Sequence, residues 1–303
     1  MQWFVLALFT PILHGISNYV DKILLEKSFS KLSLLVFMIY TAATTIIILP
    51  IFIMFGGVNI FQIPYYDIGI LMLAGLFNAG AIYCYLLALN KEEASTVVPF
   101  FQLIPIASFA LSYIILGETL SMWQMVGALI IISGATILSI DVTEGISLRK
   151  FVILAMTAMA ILIALAGVLF KLVASEENFW ISNFWESSGF ALLGTLVFLA
   201  NRGQRRAFFE SINGYKAKII GGVLLSEIFT TGGNVILNYT FLFVPVALAR
   251  TIESYQPVFV LVIGVFLTKM YPQLVRENTG WRHLAPKIMA IAIIFTGSYL
   301  VLR

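Results

Sequence analysis

Charge is what this sequence has least of. Of its 303 residues only 11% are Asp, Glu, Lys or Arg, while 60% are hydrophobic. An ordinary soluble domain carries about 25% charged residues. So little charge cannot cover a water-facing surface, so lipid is the solvent for most of the chain. Lipid offers no partner to a bare peptide group, which restricts spanning segments to helices or a closed barrel. Barrel strands alternate polar and apolar residues over about ten positions. Here predominantly apolar runs extend for about twenty residues, as at 154–173 and 284–302, which suits helices crossing a core of about 30 Å.

Cysteine is nearly missing as well. Cys84 stands alone in an apolar run, which excludes an internal disulfide and any cysteine-based metal site. The two histidines are far apart in the chain, so no metal centre is expected. No nucleophile–base arrangement and no phosphate-binding loop occurs. That argues against an enzyme, calls for no cofactor, and excludes ATP-driven pumping by this chain alone. No nucleic-acid partner is expected either. The first apolar run has no basic segment before it and no small-residue cleavage site after it, so it reads as a retained first span.

What remains is an all-α integral membrane protein of about ten spans. They fall near 3–20, 32–55, 67–89, 95–116, 121–140, 151–174, 180–200, 218–241, 244–268 and 284–302. The connectors, including 201–217 and 269–283, read as loops that carry the breakers and the charges. Lys and Arg crowd the odd-numbered loops and their flanks, from Lys22, Lys27 and Lys31 through Arg202, Arg205 and Arg206 to Arg276 and Arg282. The other face holds Lys171 and Arg303. The positive-inside rule then makes the odd loops cytoplasmic and puts both termini outside.

Residues 1–140 align with 150–303. Lys22 falls on Lys171 and Gly15 on Ala164; Gly80 falls on Gly232, and Gln102 and Pro105 fall on Ser254 and Pro257. Five spans in each half is an odd number, so the two repeats are expected to be inverted. Inverted repeats build a midplane site that alternates between the two sides.

The first span's Gly15-Ile-Ser-Asn18 followed by Lys22, then Ala88-Leu89, Ala94-Ser95, Pro105 and Leu116-Gly117-Glu118, continued by Gln124, Gly127 and Gly134, resemble the EamA-type branch of the drug/metabolite transporter superfamily. His14 stands where that family commonly has tryptophan. The second half keeps Pro257 but has Thr268-Lys269-Met270 in place of Gly-Glu. The resemblance implies ten helices as two five-helix repeats, a central cavity lined chiefly by spans 3, 4, 8 and 9, and export or exchange of small metabolites. It also implies cytoplasmic termini, the reverse of the charge bias.

Charged residues inside spans are costly and are functional candidates by default. Arg250 and Glu253 lie three residues apart on one face of span 9. Either Arg250 grips a substrate carboxylate or phosphate with its planar fork, or the two form a structural ion pair. Glu227 in span 8, near Asn234 and Asn238, and Glu253 are candidate proton carriers, as is His14 in span 1. Asn78, Tyr85, Gln102, Asn234 and Tyr255 are candidates to orient a substrate beside aromatic faces. Lys22 and Lys171 end equivalent helices and suggest symmetric gates. Glu186, about two turns into span 7, either reaches the interface or serves function, and Glu118 is expected to serve loop or helix-end structure.

The expected activity is secondary transport of a small metabolite such as an amino acid across the cell membrane, by export, proton-coupled or facilitative. The partners are the substrate and the lipid bilayer. A lipid-linked precursor flippase, or a non-transporting scaffold or assembly subunit, are the alternatives.

Overall fold

The computed structural model describes residues 2–24, 33–89, 91, 98–139, 150–215, 217–270 and 281–303. Among the described residues the chain is helical, with no strand. The order is α1 Gln2–Leu24, α2 Leu34–Gly56, α3 Tyr65–Leu89, a 3-10 turn Val98–Gln102 leading into α4 Leu103–Leu116, and α5 Met122–Ser139. It continues with α6 Lys150–Ala174, α7 Phe179–Ala200, α8 Arg202–Tyr215, α9 Ala217–Phe241, α10 Val246–Glu253, α11 Gln256–Met270 and α12 Trp281–Val301. Five described stretches are long and apolar enough to cross a membrane: Gln2–Val20, Leu34–Gly56, Tyr65–Ala88, Lys150–Ala174 and Val246–Met270. Three more, Phe100–Leu116, Met122–Ile137 and Lys287–Val301, are apolar but shorter.

Three features differ from the sequence expectations. The segment read as span 9 is broken at Ser254–Tyr255 into α10 and α11, and the segment read as span 4 begins as a 3-10 turn. Both irregularities precede a proline, Pro257 or Pro105, whose ring removes an amide donor and crowds the carbonyl four residues earlier. The third difference is α8, a helix where 201–217 reads as a loop. Its Phe208 is buried against Tyr40 and Phe198, while Arg202, Arg206 and Glu210 face outward. Arg205 reaches back to donate to the carbonyls of Phe198 and Leu199, which satisfies acceptors that the end of α7 leaves open.

Helix contacts in lipid gain little from apolar burial, so close packing falls to small residues. A Cβ on Gly75 of α3 would collide with the Glu186 carbonyl of α7, and one on Gly189 would collide with Met72 of α3. The α5–α12 seam repeats the device: a Cβ on Gly127 would lie 2.7 Å from the Gly297 carbonyl, and the reverse distance is also 2.7 Å. The α1–α9 seam is tied instead by hydroxyls. Ser17 Oγ lies 2.7 Å from both Ser226 Oγ and Thr230 Oγ1, and Thr10 donates to the Gly233 carbonyl at 3.3 Å.

Two chain reversals bear on the site. Asn178 caps α7 by accepting from the amides of Trp180 and Ile181 at 3.0 and 3.1 Å. Gly117 ends α4 with φ +66°, a conformation that suits glycine, and so turns Glu118 back toward the bundle.

Candidate functional site

The short helix α10 carries the central pair. Residues Val246 to Ile252 are all buried, Arg250 among them. Arg250 Nη1 donates to Glu253 Oε2 at 2.7 Å, and Nη2 points at the Ile163 carbonyl of α6 at 3.5 Å. The guanidinium lies over the Phe241 ring of α9, 5.3 Å from its centroid. Gly167 of α6 leaves the room for this: a Cβ there would lie 3.2 Å from Nη2 and 3.3 Å from the ring. The second oxygen of Glu253 is 3.4 Å from Nδ1 of His14 on α1. The His14 ring itself fits because residue 233 of α9 is glycine, where a Cβ would lie 2.6 Å from Nε2. Four helices thus meet on one polar chain, Arg250–Glu253–His14.

A second cluster joins α3, α7 and α9. Glu186 accepts from Asn78 Nδ2 at 3.0 Å and from Asn238 Nδ2 at 2.7 Å, and Asn238 also donates to Asn183 Oδ1 at 3.0 Å. Glu186 does not reach the interface as the sequence suggested; only 8% of it is accessible. The signal was present as Asn183 and Glu186 at a three-residue spacing, which shares a helix face. Elsewhere Glu227 accepts from Thr45 of α2 at 3.0 Å.

A third contact ties the ends of α4 and α6 to the start of α10. Lys171, at the end of α6, pairs with Glu118 and donates to the Val244 carbonyl at 2.8 Å. The other Glu118 oxygen accepts from the Val246 amide at 2.8 Å, so a residue from the first half holds the N-terminus of a helix in the second. Charge there also complements the helix dipole. Lys171→Met should cost about 2 kcal/mol, the loss of charge-assisted hydrogen bonds. Glu118→Gln should cost less than Glu118→Ala, because an amide oxygen still accepts from Val246. Thermal unfolding in detergent measures both.

The remaining candidates are spread around these clusters. Gln102 is buried with Oε1 lacking a hydrogen-bond partner, and the buried hydroxyl of Tyr255 has none. Arg250 Nε and His14 Nε2 are in the same state. Tyr85 packs edge to face on Phe101 at 5.2 Å, and Tyr255 on Phe4 at 6.3 Å. Asn234 is exposed on α9, one turn from the buried Asn238. The Lys22 and Pro99 side chains, and the 271–280 connector, lie outside the described residues.

The EamA-like transporter family model matches residues 1–140. An uncharacterized protein of Methanocaldococcus jannaschii is 31% identical over 137 residues, which is 45% of this chain and 96% of that protein. The chain belongs to the EamA-like transporter family. It is therefore a member of the drug/metabolite transporter superfamily and a multi-pass membrane protein. One solved crystal structure aligns over 100% of this EamA-like chain and 98% of its own with a TM-score of 0.65. At 17% identity that likeness concerns the fold alone.

Proposed function

We propose that this EamA-like protein is a secondary transporter that carries a small metabolite, an amino acid or similar zwitterion, across the cell membrane by alternating access. The observation that carries this reading is the Arg250–Glu253–His14 chain inside the bundle. A cation and an anion held 2.7 Å apart match the carboxylate and ammonium of a zwitterion, which exchanges one internal pair for two intermolecular ones. The unpartnered atoms of Arg250, His14, Gln102 and Tyr255 support the same reading. Such atoms cost about 1–3 kcal/mol each when unpaired, a cost that a polar substrate relieves. Asn78, Tyr85, Gln102, Asn234 and Tyr255 complete the proposed substrate contacts, and the direction of flux follows the gradients.

Alternation needs two related halves, and several features support ten helices as inverted repeats, 1–140 and 150–303. The partners of α1 and α6 are α9 and α3, which exchange when the halves are exchanged. The α2–α7 and α5–α12 pairs map onto themselves. The irregularities at Gln102 and Ser254 are equivalent positions, and the archaeal relative is about half the length of this chain. The halves are not in equivalent states: α3 packs closely along α7, whereas α9 touches α2 sparsely. Lys171–Glu118 is then the latch of the closed face.

Reconstituted flux across an amino-acid and metabolite panel tests the assignments. Glu253→Gln should abolish it, and unchanged flux removes Glu253 from the site. Orientation has its own check, with Arg202→Cys in a Cys84→Ser background. An impermeant maleimide should reach that cysteine only after cells are lysed; labelling of intact cells reverses the map.

A further inference from the structure

We propose that Glu186, framed by Asn78 and Asn238, is the proton-binding site of the carrier; this rests on the transporter reading above. Asn78 lies within one residue of the middle of α3, and its hydrogen bond fixes Glu186 at that level. An ionised carboxylate at membrane depth is costly unless a cation or a proton compensates it.

No described lysine, arginine or histidine lies within ion-pair distance of Glu186; its partners are two neutral amides. The charged groups on surrounding elements are otherwise engaged or distant. Arg250 acts on Glu186 through space, but its hydrogen bond goes to Glu253. Lys171 of α6 is held by Glu118. Asp67 lies at the start of α3, about 16 Å along the helix from Asn78. Glu227 lies a similar distance, about 16 Å, along α9 from Asn238. Arg202, Arg205, Arg206 and Glu210 belong to α8, beyond the far end of α7, and α2 bears no Asp, Glu, Lys, Arg or His.

Glu253 is poorly suited to the same task. One of its oxygens is held by Arg250 and the other faces His14, so its negative charge is already compensated. Glu186 differs in that each oxygen accepts a single amide hydrogen bond. Each oxygen retains acceptor capacity for a proton, and no bond within the cluster must break when it arrives. Water protonates the carboxylate at one face and accepts the proton at the other. Neutralising Glu186 changes the field at Arg250, which links proton binding to substrate binding reciprocally.

Infrared difference spectroscopy on the full chain in lipid nanodiscs, taken through a pH jump, reads the site without any substrate. The wild type should gain the carbonyl stretch of a buried protonated carboxyl on acidification. Glu186→Gln should lose that band, Glu186→Asp should shift it, and Glu253→Gln should keep it. A band unchanged in Glu186→Gln, or one lost only in Glu253→Gln, overturns the proposal. So does a carboxylate signal that ignores acid and responds to sodium. A missing metabolite flux alongside the expected band would instead count against the transporter reading alone.

Discussion

Arg250→Ala should leave no measurable substrate flux and should sharply lower the thermal stability of the detergent-solubilised protein. Removing the guanidinium leaves Glu253 inside the bundle with only His14 nearby. Breaking a buried pair from one side costs about 3–5 kcal/mol, because the surviving charge has no compensation. Losing the contact with the Phe241 ring adds about 1 kcal/mol. The double variant Arg250→Ala/Glu253→Ala removes both charges and should recover most of the lost stability. Flux should stay at zero in the double variant if the pair binds substrate. If the pair is only structural, the double variant should regain flux together with stability. Arg250→Lys, with its charge kept but its planar fork lost, should fold better than Arg250→Ala and still transport poorly.

The second large effect belongs to the α3–α7 contact. Gly189→Val should prevent recovery of monodisperse protein, and Gly75→Val should do the same. At Gly189 a Cβ would stand 2.6 Å from the Met72 Cα, and at Gly75 it would meet backbone atoms of Glu186 and Phe190. Backbone cannot move aside as a flexible side chain can, so the helices must separate. Overpacking of even one methyl group costs about 1–3 kcal/mol, and valine adds more. Separation would also stretch the 3.0 Å bond between Asn78 and Glu186. Gly69→Ala on the same helix is the control. Nothing lies within 4 Å of a Cβ there, so alanine should be neutral or stabilise by up to about 1 kcal/mol. Size-exclusion profiles and melting curves distinguish the three variants.

The helices were legible in the sequence because lipid leaves the backbone one economical solution, and apolar runs mark it directly. Proline also marked two positions where the helices are irregular. Gln102 and Ser254, aligned by sequence, both sit at an irregularity before a proline. The break in α10–α11 was less visible, since a proline in a membrane helix signals a kink or a break equally well. The α8 helix was hidden because its many polar residues resemble a loop, and its buried Phe208 has meaning only once Tyr40 and Phe198 are beside it.

Within the site, the Arg250–Glu253 pair was readable because three residues along one helix fix the geometry locally. Everything that crosses between helices was not. Lys171 and Glu118 are 53 positions apart, and no local periodicity joins them. Asn234 and Asn238 are one turn apart and share a face by spacing alone, yet Asn238 is buried on Glu186 and Asn234 is exposed. Which turn of α9 faces Glu186 depends on where α7 crosses it. Glu186 is buried where α7 lies against α3, with Asn78 and Asn238 on its carboxylate, although distance from the helix start had placed it near the interface.

The most direct measurement of the central claim is solute flux in proteoliposomes of the purified chain, against a panel of amino acids and other small metabolites. Saturable flux of at least one zwitterionic solute is expected, absent in Arg250→Ala and in the folded Arg250→Ala/Glu253→Ala variant. Flux that survives in the double variant, or no solute-dependent flux in the wild type, would contradict it.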